Sequence, residues 1–183
     1  MAKKLTKQQR EVRALKAKLP LAKPPVRKKL DQKTAQQLIK PADDAFSRYI
    51  RLRDCSFTGT DWVGQCISCD RIGVIYTGDG KWVQGWDNGH FITRGVHSLR
   101  FSEENCNLQC RHCNIWRDKD DMLQAYKKGL ALKCGDDTVV ELKRLSKLPE
   151  AYKRPSKSEL LQIISDAKQE VEYILAHKEN YQR

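Results

Sequence analysis

Apolar residues recur every three or four positions in five stretches of this chain, the spacing that gathers them on one face of a helix. The pattern predicts helices over residues 6–19, 41–53, 114–132 and 137–147, and a long helix after residue 156. Pro41 suits the first turn of the second helix, because a helix makes no use of the N–H that proline lacks at that position. Ser156 and Glu159 have the spacing of a capping box at the start of the last helix.

Residues 55–112 have a different pattern, rich in glycine, aromatic residues and cysteine, which predicts short strands and turns. The run 78–80 lies between two apolar pairs and is typical of a hairpin tip. The last helix carries an apolar face of seven residues, and the sequence leaves open whether this face packs on the same chain or forms a dimer interface: Leu160, Ile163, Ile164, Ala167, Val171, Ile174 and Leu175.

The positive charge is concentrated at the N-terminus. The chain has 183 residues and a net charge of +12, and residues 1–40 hold 13 of its 35 lysines and arginines but only two of its 23 acids. We predict a flexible DNA-binding arm over 1–40, because lysine and arginine gain free energy by displacing counterions from phosphates. A solvated tail is the alternative. The predicted phosphate contacts of the arm are Lys3, Lys4, Lys7, Arg10, Arg13, Arg27, Lys28 and Lys29.

Length and composition limit the remaining organisation. We predict one domain over residues 41–150 and a C-terminal amphipathic helix over 151–183. No apolar run approaches the roughly 20 residues that span a bilayer, so we expect no membrane association. The first residues lack the apolar stretch of a signal peptide, and an odd number of cysteines (seven) is atypical of a disulfide scaffold, so we expect a reducing, cytoplasmic location.

Four of the cysteines form two CxxC pairs, Cys66–Cys69 and Cys110–Cys113. Two such pairs supply four soft thiolates for a tetrahedral ion, which favours structural Zn²⁺ because a closed shell leaves no open position for chemistry. Two unrelated pairs of buried cysteines are the alternative. The other three cysteines are predicted to be ordinary thiols, although Cys106 is near enough to the second pair to replace a ligand: Cys55, Cys106 and Cys134.

Acidic, histidine and asparagine side chains lie on both sides of the second CxxC pair. Asp87 and His90 precede it, Asn105 comes five residues before Cys110, and Asn114 follows it directly. This order resembles that of HNH nucleases, also called ββα-metal or His-Me finger nucleases. Phosphodiester hydrolysis requires a base, which a neutral imidazole supplies, and a hard cation such as Mg²⁺ or Mn²⁺, which takes oxygen ligands.

The stretch WDNGHFITRGVHSLRFSEENCNLQCRHCN, together with DDAFSRYIRLRD and CISC, resembles the lambdoid phage NinG/Rap family. The position of Asn114 behind Cys113 is also similar to endonuclease VII-type junction resolvases. The resemblance implies an α+β fold, in which a zinc-stapled ββα-metal core carries flanking helices and a basic arm. It implies a homodimeric, metal-dependent endonuclease that cuts Holliday junctions and D-loops in a bacterial host, beside other phage recombination proteins.

The same resemblance implies a role for each matching position. His90 corresponds to the general base and Asn114 to a catalytic-metal ligand, while Asn105 braces the loop that carries His90. The four paired cysteines correspond to the zinc ligands. Asp87 corresponds to an acidic metal ligand, but it lies three residues before His90 and would need a bulge at Gly89 to reach the metal.

The sequence leaves open whether the basic residues near His90 line a phosphate path or are solvated charges of the loop: Arg94, His97, Arg100 and Arg117. The tryptophans Trp82, Trp86 and Trp116 are predicted to lie in the core. Two alternatives to the nuclease also account for the zinc and the arm, namely a non-catalytic zinc-stabilised module that binds nucleic acid and a recombination adaptor. Only the nuclease accounts for the order of Asp87, His90, Asn105 and Asn114.

Overall fold

The computed structural model of the protein describes residues 30–69, 71–116 and 119–182. The predicted helix over 6–19, the eight basic side chains of the arm and Arg117 lie outside the described residues. Residues 33–183 form one compact unit, to which the elements below belong. This unit includes residues 151–183 as well as the predicted central domain.

The first helix of this unit, α1, spans Ala35–Arg53 and begins six residues before the predicted start at Pro41. Thr34 caps it, because its hydroxyl accepts a hydrogen bond from the Gln37 N–H and the Gln37 side chain accepts one from the Thr34 N–H. Leu38 is fully buried, which extends the apolar face by about one turn before the predicted start. The prediction was wrong because this capping box outweighs Pro41, which the helix accommodates in its interior.

Five short strands follow, in two antiparallel sheets. The first sheet has the order β1–β2–β3, and the second pairs β4 with β5. The strands are Cys55–Phe57, Trp62–Gln65, Ile72–Tyr76, Trp86–His90 and Cys106–Cys110. The predicted tip at 78–80 is confirmed as a turn, in which the Thr77 N–H donates to the Lys81 carbonyl over 2.9 Å. Beyond this turn only a single bridge continues the pairing, between Tyr76 and Trp82.

In the described residues after β5, the longer helices are α2 (Lys119–Cys134), α3 (Asp136–Leu145) and α4 (Lys157–Ala176). The capping box of Ser156 and Glu159 is confirmed at the start of α4. The apolar face of α4 packs against α1, and its four most buried residues are Leu160, Ile164, Ala167 and Ile174. The structure therefore favours packing within the chain for this face. In the described part of the chain no helix has both the length and the apolar character needed to cross a bilayer.

The β4–β5 hairpin is held on both sides by polar anchors. On one side, the buried Tyr126 hydroxyl of α2 donates to the Gly89 carbonyl over 3.0 Å. On the other side, the Asp54 carboxylate accepts from the Leu108 N–H over 2.8 Å and pairs with Arg53 and Lys133. Burial would raise the pKa of Asp54, but these two cations outweigh it and hold the pKa below its ordinary value. The hairpin that carries the candidate site is thus fixed by the end of α1 and by α2.

Candidate functional site

The four paired cysteines meet in space. All four Sγ atoms lie within 4.8 Å of one another, and the sulfurs of Cys69 and Cys110 are 3.9 Å apart. Four thiolates placed about 2.3 Å from a zinc ion in a tetrahedron lie about 3.8 Å from one another, so the observed spacing fits this ion. The fold brings the β2–β3 turn against the end of β5 to form the cluster. The four cysteines therefore form a possible metal site that is consistent with structural zinc.

The hydrogen bonds around the sulfurs also suit a metal site. The backbone N–H groups of Ser68 and Cys110 lie 3.4 Å and 3.3 Å from the Cys66 sulfur, in donor geometry. Burial raises the pKa of Cys66 to about 11 and also raises that of Cys113. Burial opposes ionisation of Cys110 too, but hydrogen bonds from Cys113 and its neighbours lower the pKa of Cys110. Four thiols this close cannot all ionise without a cation among them.

The remaining cysteines lie outside this cluster. Cys55 and Cys106 are buried free thiols, and Cys134 is a half-buried one. The four residues of the metal cluster do not include Cys106. Burial raises the pKa of Cys106 to about 12, so this thiol stays protonated near neutral pH. The prediction of ordinary thiols at these three positions agrees with this placement.

Asp87 and Asn114 are in contact although they are 27 residues apart. The Asn114 Nδ2 donates to Asp87 Oδ2 over 3.2 Å. On its other side the Asp87 carboxylate faces Arg111, with Nη2 and Oδ1 3.5 Å apart. Asn114 lies in a single π-helical turn, His112–Trp116, that continues the chain directly from the cysteine cluster. The cluster thus fixes the position of Asn114, and the pair offers carboxylate and amide oxygens to a hard cation.

The bulge predicted at Gly89 is not present. Every residue of β4 faces one residue of β5 across the hairpin. A Cβ atom at Gly89 would lie 2.3 Å from Gln109 Oε1, so glycine is required there because the Gln109 side chain crosses it. In a regular strand, residues three positions apart point to opposite faces. Asp87 and His90 therefore lie on opposite faces of β4, and Asp87 meets Asn114 without a bulge.

His90 ends β4 with its imidazole half-buried. Its Nε2 lies 3.0 Å from the Arg100 carbonyl oxygen, which can only accept, so Nε2 carries the ring proton and Nδ1 is left with a lone pair. Burial, and then the nearby Arg94, lower the pKa of His90 to about 4. The carbonyls of Arg100 and Asn88 and the Asp43 carboxylate oppose this shift but do not cancel it. The imidazole is therefore neutral at pH 7.

Asn105 is fully buried and holds the loop that follows β4. Its Oδ1 accepts from the Ile92 N–H over 2.7 Å, and its Nδ2 donates to the carbonyls of Ile92 and Leu99, each over 2.9 Å. These three bonds use both amide N–H groups and the carbonyl oxygen to connect Ile92 and Leu99 of the loop to the start of β5. The side chain has the bracing geometry that the resemblance implies for this position.

The basic residues of the same loop have different environments. Arg100 is engaged by Asp43, with Nε and Oδ1 2.8 Å apart, and also donates to the Arg94 carbonyl. These contacts favour a structural role for Arg100 over the predicted phosphate contact. Arg94 is exposed. His97 is half-buried, and its Nδ1 is enclosed without a hydrogen-bond partner among the residues that the structure describes.

Arginines that the sequence analysis did not select lie next to Asp87. A groove of about 270 Å³ is lined by Arg48, Arg51, Arg111 and Asp87, together with the turn at 82–86. Trp82 is half-exposed in this groove, with the Arg51 guanidinium 4.4 Å from its ring centroid, so its predicted place in the core was wrong. Trp86 is buried as predicted. Spacing alone did not reveal the groove, because its residues come from three separate segments.

Comparison with protein families identifies a family for this chain. The family model described as "Bacteriophage Lambda NinG protein" matches residues 1–177. No curated protein matches the chain, and no solved structure matches it.

Proposed function

We propose, since this chain belongs to the bacteriophage lambda NinG protein family, that it has a role in phage recombination as a metal-dependent endonuclease for branched DNA. The proposed substrates are Holliday junctions and D-loops, and the proposed active form is a homodimer, because resolution of a junction requires two symmetric cuts. Both follow from the family resemblance described above. A mixed α+β fold and a four-cysteine cluster next to the hairpin support the proposal.

The contact between Asp87 and Asn114 is the observation that carries this proposal. The two residues are distant in sequence, yet the cysteine cluster and the β4–β5 hairpin bring the Asn114 amide within hydrogen-bond distance of the Asp87 carboxylate. Mg²⁺ takes one or two carboxylates and keeps several waters, so this small set of oxygens suffices to hold it.

Each residue then has a part in the reaction. Asp87 and Asn114 would hold Mg²⁺ or Mn²⁺, which when bound stabilises the negative charge that develops on the phosphate and the leaving oxygen. His90 would accept a proton from the attacking water at Nδ1, because Nε2 is already committed to the Arg100 carbonyl. Asn105 keeps the loop beyond His90 in one conformation through its three backbone hydrogen bonds.

A second candidate function is a zinc-stabilised module that binds nucleic acid without cutting it. The observation in its favour is the regular pairing of β4, which places His90 on the face opposite to Asp87 and Asn114. In this case the neutral imidazole would be a structural partner of the Arg100 carbonyl. An assay of DNA cleavage distinguishes the two functions.

The test is incubation of the full-length protein with a labelled four-way junction and with a linear duplex of the same sequence. We expect cleavage of the junction in Mg²⁺ or Mn²⁺, weaker cleavage of the duplex, and none in EDTA. The EDTA treatment should be brief, with the zinc content measured afterwards, so that loss of the catalytic metal is distinguished from loss of the structural one. Tight binding of the junction without cleavage in either metal would support the binding module instead.

The pKa of His90 predicts an unusual pH dependence for this cleavage. A base must be unprotonated to act, and a group with a lowered pKa stays unprotonated to lower pH. With a pKa of about 4, His90 should not limit the rate between pH 8 and pH 5, whereas an ordinary histidine with a pKa of about 6.5 would. The measurement is the single-turnover cleavage rate at saturating DNA across this range. An acid limb centred near pH 6.5 that disappears in His90→Ala would contradict the prediction.

A further inference from the structure

The groove beside Asp87 has the features of an anion site. Arg48 and Arg51 lie three residues apart on α1, so both project to the same side of the helix. Burial lowers the pKa of Arg51; the nearby Asp87 carboxylate opposes this shift, and the neighbouring Arg48 adds to it. A third guanidinium, that of Arg111, faces the same groove. Like charges gathered in a partly desolvated groove favour a polyanion as its occupant.

The guanidinium of Arg51 is held in a fixed position. Its Nε donates to the Ser47 carbonyl over 3.3 Å and its Nη1 to the Trp86 carbonyl over 3.2 Å. The Trp82 ring supports it from one side at 4.4 Å. A cation held in this way binds an anion with little loss of side-chain entropy, which is the advantage of preorganisation.

Arg111 links the groove to the cysteine cluster. It lies between Cys110 and Cys113, and its backbone N–H donates to the Gly85 carbonyl over 2.8 Å. Its Nε is enclosed without a hydrogen-bond partner in the described residues, but 41% of the side chain is exposed and so open to a ligand. Its Nη2 faces Asp87 at 3.5 Å, so an anion held by Arg111 would lie next to the proposed ligands of the catalytic metal.

We propose that this groove binds the phosphodiester backbone of the DNA strand that is cut, with Arg48 and Arg111 contacting its phosphates and Arg51 supplying fixed positive charge at its floor. The inference rests on the proposed function for the identity of the nucleic acid and for the place of the cut. Guanidinium groups suit this ligand because their N–H donors match two oxygens of a phosphate. The groove thus provides a phosphate path beside Asp87, separate from the predicted path along Arg94, His97 and Arg100.

The first test is equilibrium binding of the full-length protein to a labelled four-way junction in Ca²⁺, measured by fluorescence anisotropy at several salt concentrations. Arg48→Gln and Arg111→Gln should each raise Kd about tenfold, as expected for one charged hydrogen-bonding partner. Each should also lower the slope of log Kd against log salt by about one. The control is Lys143→Gln, which removes one positive charge from the exposed face of α3 and should leave both quantities unchanged.

The second test identifies the phosphate. Uncharged methylphosphonates replace the phosphates of one strand, one position at a time. At the position that Arg48 contacts, the methylphosphonate should weaken DNA binding by the wild type. It should not weaken DNA binding by Arg48→Gln any further, because this variant has already lost the contact. Because Arg48 lies outside the cysteine loop, this variant remains informative even if Arg111→Gln disturbs the metal site. Wild-type Kd and salt slope in both variants, or the absence of any phosphate coupled to Arg48, would overturn the inference.

Failure of this inference can be distinguished from failure of the proposed function. A protein that binds junctions through the arginines but cuts them in no metal would retain the groove and exclude the nuclease. A protein that cuts junctions while both arginine variants bind and cut normally would retain the nuclease and exclude the groove.

Discussion

Replacing Cys110 with serine is expected to abolish zinc binding by the four-cysteine cluster and to unfold the region between the first and second CxxC pairs. Cys110 ends β5 and is one of the four sulfurs within 4.8 Å of one another, and a serine hydroxyl is a poor zinc ligand. Structural zinc contributes about 10 kcal/mol in small zinc domains, which is comparable to the whole stability of a typical domain. We therefore expect less than one tenth of the wild-type zinc content and loss of the cooperative thermal transition.

Cys134→Ser is the matched control for this variant. Cys134 is a free, half-buried thiol at the end of α2 that lies outside the cluster, so its replacement should leave the zinc content unchanged. Elemental analysis gives the stoichiometry, and circular dichroism gives the thermal transition. A Cys110→Ser protein with one zinc per chain and a wild-type Tm would show that the four cysteines do not form the site.

The consequence reaches beyond stability, because both candidate sites depend on the residues that follow Cys110. Arg111 lies between the two cysteines of the second CxxC pair, and Asn114 follows the second of them directly. Loss of the zinc should therefore remove both the proposed phosphate contact of Arg111 and the contact between Asn114 and Asp87. DNA binding in the Cys110→Ser variant should weaken at least as much as in Arg111→Gln.

Local chemistry explains which parts of this fold the sequence could predict. The cysteine cluster and the capping box of Ser156 were predictable because each depends on a few residues at fixed spacing. The start of α1 was missed because Pro41 marks a competing start, although Thr34 and Gln37 have the same capping-box spacing as Ser156 and Glu159.

The candidate site shows the same division. The sequence showed the type and order of the site residues, but it did not show on which face of β4 each of them lies. The predicted bulge depended on how Gln109 packs across Gly89. The arginine groove could not be predicted from the sequence either, because α1, the turn at 82–86 and the second CxxC loop meet only in the folded chain. Arg100 is the reverse case: the sequence offered it as a phosphate contact, but its guanidinium donates to the Asp43 carboxylate.

His90→Ala is expected to lower the rate of junction cleavage about 1000-fold, within the range of about 10²–10⁴ that a general base contributes. The physical reason is the loss of the Nδ1 lone pair, which the hydrogen bond from Nε2 to the Arg100 carbonyl leaves available. The fold and the zinc content should be unchanged, because His90 is half-buried at the end of its strand. Kd for the junction should also stay within about twofold, because the ring is neutral at pH 7 and offers no charge to phosphate.

His177→Ala is the matched histidine control, since the His177 ring bonds the Tyr173 carbonyl at the end of α4, outside the candidate site.

Asp87→Asn completes the set of variants, because it keeps the shape of the side chain but removes its charge. It should raise the Mg²⁺ concentration required for the half-maximal cleavage rate. The two site variants separate the roles of the two faces of β4. If Asp87→Asn were inactive while His90→Ala cut normally, the metal site would stand and the base would lie on the Asp87 face. If both cut normally, neither face of the hairpin would contain the catalytic centre.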